Sequence, residues 1–170
     1  MYITIASTLF LLGTQMVQAE TRHAGAHVHG LNHAIIILEN NTLQISFEFP
    51  AAQLNENEEH KHEELIEHLK EISRIAAFIA IPNAAKCTQT GINHALRAVA
   101  STGTDDEHAG HQDATIEATL DCQTPSALTR LDFSPAFDRF NDLEKIEVEG
   151  IFGSQSLSET LTAKKAVISF

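Results

Sequence analysis

Along residues 43–49 apolar and polar side chains alternate without a break: Leu43, Ile45, Phe47 and Phe49 fall on one parity, Gln44, Ser46 and Glu48 on the other. A period of two is that of an extended strand with one buried face and one wet face. Just before it, residues 34–38 form a run rich in β-branched and apolar side chains, and Glu39-Asn40-Asn41 separates the two runs. Asparagine tolerates the positive φ of a tight turn, so the pair reads as a hairpin that Pro50 ends. The period then changes. Leu65, Leu69, Ile72, Ala76 and Ile79 recur at helical spacing, and Asn55 or Asn57 can cap the run. Glu56, Glu58 and Glu59 complement the positive end of its dipole, and Pro82 stops it. One long helix is expected there.

Strand character returns over residues 87–100 and 114–122, and the connector at 101–113 is polar, charged and glycine-containing, the signature of a mobile loop. Residues 125–131 and 134–141 suggest short helices, and 146–152, 157–161 and 166–170 suggest closing strands. There is a weak internal echo: residues 47–54 and 120–128 both run from an alternating strand through proline and small residues to leucine, as a duplicated unit would. The pattern predicts an α+β fold in a single domain, with antiparallel sheet or sheets, one long helix and one or two short ones.

The amino-terminal stretch changes the picture of where this domain works. Residues 3–12 form an apolar run of the length of a signal h-region, residues 13–18 turn more polar, and Val17-Gln18-Ala19 is a small-residue cleavage site. The leading Met1-Tyr2 carries no Lys or Arg, which departs from the usual signal, but the run is too short for a membrane anchor of about 20 apolar residues. Residues 1–19 are therefore expected to be a signal peptide and residues 20–170 the exported, periplasmic chain. A formal net charge of −12 repels phosphate backbones and anionic lipid, so nucleic acid and membrane insertion are not expected, and cations are. Cys87 and Cys122, an even pair in an exported chain, are read as one disulfide closing a loop of about 35 residues, worth ~3 to 4 kcal/mol on the entropic account. Thiolate ligation of zinc is the alternative, although no C-x-x-C is present.

Candidate chemistry is concentrated in histidine, of which there are ten. His23, His27, His29 and His33 all carry odd numbers, so wherever the backbone is extended they share a face. His27 and His29 then lie about 6 to 7 Å apart, close enough to ligate one ion at a Zn–N length of about 2.0 to 2.1 Å. Against that stands a frayed tail whose histidines are merely solvated, and His33 opens a strand where it can be half-buried and hydrogen-bonded. On the helix, His60, Glu64 and His68 form an i, i+4 ladder that offers two nitrogens and an oxygen, or else is a solvated acidic face; His62 points elsewhere on the wheel. His108 and His111, among Asp105, Asp106, Glu107 and Asp113, suit transient capture of cations in the connector. His94, isolated in a strand, reads as an ordinary structural histidine.

The ordered set of His-x-His-Gly after a signal, Phe47-Glu48-Phe49-Pro50-Ala51-Ala52, Ile81-Pro82-Asn83-Ala84-Ala85-Lys86-Cys87, an acidic histidine loop, Asp121-Cys122, and Leu143-Glu144-Lys145-Ile146-Glu147-Val148 resembles the zinc-regulated periplasmic ZrgA family over nearly all of the exported chain. What that resemblance implies is a periplasmic zinc-binding protein that assists zinc acquisition beside an importer, with zinc as ligand and a periplasmic importer binding protein as a candidate partner. The connector is short next to the long His, Asp and Glu-rich loop that the family suggests, a departure from the resemblance at this one place. Copper and nickel remain alternative metals for imidazole ligands.

Motifs for catalysis fail on inspection. His62-Glu63-Glu64-Leu65-Ile66 has isoleucine where a metalloprotease helix needs its second histidine, and Gly153-Ser154-Gln155-Ser156-Leu157 lacks the last glycine of a nucleophile elbow. The sequence therefore predicts a binding protein rather than an enzyme. A periplasmic interaction module with incidental histidines is the principal alternative, and a zinc hydrolase the more remote one.

Overall fold

A computed structural model describes residues 31–54, 62–98 and 112–170. The hairpin forms as its alternation requires: β1 (Leu31–Glu39) pairs antiparallel with β2 (Thr42–Pro50) around Asn40, whose φ of 55° is the left-handed conformation that asparagine tolerates. Leu43, Ile45, Phe47 and Phe49 are all buried. Pro50 does not precede the end of the strand but completes it, opposite Asp113; at a last position its missing N–H costs little.

β3 (Cys87–Ala98), β4 (Gln112–Cys122), β6 (Lys145–Phe152) and β7 (Gln155–Leu161) extend the hairpin into a six-stranded sheet of order β3-β4-β2-β1-β6-β7. The expectation of purely antiparallel pairing is corrected at one place, since β1 runs parallel to β6. A parallel neighbour needs a crossover rather than a hairpin, and the chain from β2 through β4 and the helices supplies it. Two short strands, β5 (Arg130–Asp132) and β8 (Val167–Ser169), make a second small sheet. Residues 125–131, expected as a helix, are a 3-10 turn at Pro125–Ala127 followed by β5. The echo between the chain segments after β2 and β4 has a structural counterpart only at this level: both strands lead into a 3-10 turn, Ala51–Leu54 and Pro125–Ala127.

The long helix is shorter than its stripe. α1 (His62–Glu71) buries Leu65 and Leu69, but the chain then leaves helical geometry and makes a separate 3-10 turn at Ile75–Ala77. The reason lies on β3. His94 Nε2 is 2.7 Å from the Ile72 carbonyl, Gln89 Nε2 donates to the Ser73 carbonyl at 2.9 Å, and Gln89 Oε1 accepts from the Ile75 amide at 3.0 Å. These three bonds satisfy backbone groups that a continuing helix would have paired within itself. Ile72 and Ile79 are buried as the stripe predicts, whereas Ala76 is exposed. Two aromatic residues from this side, Phe78 and Phe140, meet Phe47 and Phe49 of β2, with ring centroids 5.0–5.8 Å apart. Phe140 follows α2 (Ser134–Arg139). The core thus lies between one face of the six-stranded sheet and the layer of α1, α2, the 3-10 turns and β5/β8.

Gly150 of β6 faces this core. A Cβ there would stand 2.5 Å from Phe152 Cε2, and the Phe152 ring is itself stacked on Phe170 with centroids 3.5 Å apart. Gly150→Ala is expected to cost ~1–3 kcal/mol through displacement of that ring pair, read as a lower urea midpoint at unchanged slope.

Candidate metal centre

His33 is the third residue of β1, and the alternation that buries Asn32, Ala34 and Ile36 turns it outward. Register then decides its neighbours. On one side it is paired with Glu48 of β2, on the other with Glu147 of β6, and paired residues project to the same face of a sheet. Its Nδ1 lies 3.4 Å from Glu147 Oε2, with the two side chains 49% and 53% exposed. A pair this open to water contributes little to stability; its chemical content is one imidazole nitrogen beside a carboxylate, both accessible to a cation from the outer face. Glu147 was not among the candidates read from sequence. Its partnership with His33 arises from a parallel pairing between remote strands, and the only local hint is the alternation that leaves Glu147 and Glu149 on the wet side of β6.

The other candidates are placed as follows. His68 is exposed on α1, one turn beyond Glu64 on the same helix. α1 packs on the core face of the sheet, beside β3, whereas His33 lies on the outer face of β1, three strands further in. The sheet therefore stands between His33 and His68. His23, His27, His29, His60, His108 and His111 lie outside the described residues. So does most of the connector expected at 101–113, whose last two residues, Gln112 and Asp113, belong to β4. Among the described residues no group of three or more His, Cys, Asp or Glu is close enough to hold a metal ion.

Two side chains are accounted for by structure rather than by chemistry. His94 points to the core side of β3; because a carbonyl only accepts, its Nε2 carries the proton in the bond to Ile72 and fastens the end of α1 to the sheet. Cys87 and Cys122 are register partners on β3 and β4 and are joined in a disulfide, so neither thiolate is a metal ligand. No helix among the described residues is long and apolar enough to cross a membrane.

A mixed sheet whose outer face presents an imidazole–carboxylate pair, directly downstream of a His-x-His-Gly segment, has the donor chemistry of a protein that handles a borderline cation. The family comparison gives that class a name: the profile described as ZrgA family zinc uptake protein matches residues 26–170, and the chain belongs to this family. The match takes in His27, His29, His33 and every described element, and leaves His23 outside it. No curated protein matches the chain.

Proposed function

We propose that this chain is a periplasmic zinc-binding accessory protein that captures zinc and assists its delivery to an importer, and that it acts by binding rather than by catalysis. The observation that supports this best is positional. The family match spans His27-Val28-His29-Gly30, and this segment runs straight into β1, where His33 stands beside Glu147 on the outer face. The imidazoles of His27, His29 and His33 and the carboxylate of Glu147 are together the N and O donor types that tetrahedral zinc accepts. In this reading His27 and His29 are the principal ligands and His33 with Glu147 completes or orients the site. His23, His60, Glu64, His68, His108 and His111 are secondary capture groups. The importer partner is taken to be its periplasmic binding component.

Calorimetric titration of the purified, untagged chain with zinc, copper and nickel tests the reading: a saturable zinc site is expected, with no turnover of ester or peptide substrates. The zinc affinity is expected to fall as pH is lowered from 7 to 5, because imidazole coordinates only when neutral and its ordinary pKa is about 6.5. An affinity unchanged over that range assigns the ion to carboxylates alone and removes the histidines from the site.

A further inference from the structure

The outer face of the six-stranded sheet breaks its own pattern at one place. Along β2, β4 and β6 the outward positions are polar or charged, such as Gln44, Ser46, Glu117, Thr119 and Glu149. In the middle of β1 and at the end of β6 they are not: Ile35 is 45% exposed, Ile151 52%, and Ile37 half-buried. Single exposed aliphatic residues are ordinary on any surface. These three are contiguous, since Ile37 is the register partner of Ile151 and Ile35 follows on the same face of β1. Beside them the face sinks into a shallow depression of about 310 Å³ lined by Ile35, Ile37, Gln44, Ser46, Glu117 and Thr119.

Gly91 of β3 forms the far wall of that depression. Its φ is not in the left-handed range, and a Cβ built on it would meet nothing closer than Thr119 Cβ at 4.0 Å. Gly91 follows the register shift between Gln89 and Gly91, where a strand glycine is common, but neither a positive φ nor close packing requires it, and its missing side chain leaves the depression open to the sheet edge. Around this apolar centre stand Glu39, Glu117, Asp121, Glu147 and Glu149, with Lys145 as the nearest outward cation on β6. That arrangement selects its occupant by charge. A second copy would set the same carboxylates against each other, and an anionic lipid surface would be repelled. A basic segment with aliphatic side chains between its cationic ones satisfies both the rim and the centre.

We infer that the outer sheet face centred on Ile35, Ile37 and Ile151 is a docking surface for a protein partner whose contacting segment interleaves aliphatic with Lys or Arg side chains. Only Glu147 of the rim is shared with the proposed zinc site; the isoleucines and Gly91 offer no metal donor, so the apolar centre stands apart from the zinc reading. The test uses the full chain, isotope-labelled, titrated with a synthetic peptide of alternating Lys and Val, with a Lys–Ser peptide of equal charge as control, in chelator and again in zinc. Shift changes are expected at Ile35, Ile37, Gly91 and Ile151 in both conditions. Affinity is expected to be about tenfold lower for the Lys–Ser peptide, for the surface double variant Ile35→Ser with Ile151→Ser, and for Gly91→Leu. Equal binding of the two peptides, shifts on another face, or an unchanged affinity in the double variant overturns the proposal. So does a concentration-dependent dimer in sedimentation that Ile35→Ser abolishes, which would give the face to a second copy.

Discussion

Replacing His27 and His29 together by alanine is expected to lower the affinity of the tightest zinc site by on the order of a hundredfold or more. Loss of a neighbour that merely orients a ligand costs about 10–100-fold, and removing the two proposed ligands is expected to cost at least as much. Deleting residues 101–111 and closing β3 to β4 with a short glycine turn is expected to reduce zinc stoichiometry while leaving that tight site in place. The physical ground is preorganisation: a ligand held close to regular structure gives up little freedom on binding, whereas one carried on a connector must be ordered first. His33, fixed by β1 between Glu48 and Glu147, is the described histidine nearest in sequence to His27 and His29, and it sits on the same face as those carboxylates. Glu147→Gln should therefore weaken zinc binding by a smaller factor than the double alanine change and without loss of fold, since the residue is half exposed. Calorimetry on the three variants decides among them. If the loop deletion abolishes the tight site and the double alanine variant retains it, the site belongs to the connector and the amino-terminal motif has another purpose.

What could be read from the sequence was what is encoded locally. The hairpin of β1 and β2 was legible because a period of two and a single asparagine turn lie within twenty residues, and the family was legible because its ordered motifs run along most of the chain. His94 was legible as a structural residue but its partner was not, because the bond to Ile72 links β3 to the end of α1 across the core. The same long-range contacts, with Gln89, decide where α1 stops; nothing in the helical stripe marks Glu71 as its last residue. Register across remote strands hid the remainder. Glu147 meets His33 only because β6 docks parallel to β1, and the apolar run of residues 34–38 does not reveal that Ile35 and Ile37 face outward while Ala34 and Ile36 are buried.

Phe78→Ala is expected to be the most damaging single change among the described residues, costing ~3–5 kcal/mol. That is a large share of the ~5–15 kcal/mol by which domains of this size are stable. Phe78 is fully buried, its ring lies 5.2 Å from Phe47, 5.8 Å from Phe49 and 5.6 Å from Phe140, and the Arg139 guanidinium sits 5.4 Å from its centroid. It is the point at which the segment after α1, the end of α2 and the central strand β2 are held together, so truncation leaves a cavity bordered by rings that cannot all close in. The variant also separates two arrangements of residues 72–79. A continuous helix with Ala76 and Ile79 in its stripe turns Phe78 away from the core and makes its loss mild. The observed 3-10 turn at Ile75–Ala77 turns it inward. Urea unfolding followed by far-ultraviolet circular dichroism supplies the measurement, with Phe137→Ala as a half-buried aromatic control expected to cost less. A loss below about 1 kcal/mol for Phe78→Ala would mean that this segment does not dock on β2 through its phenylalanine, and that the helical stripe of the sequence describes it better.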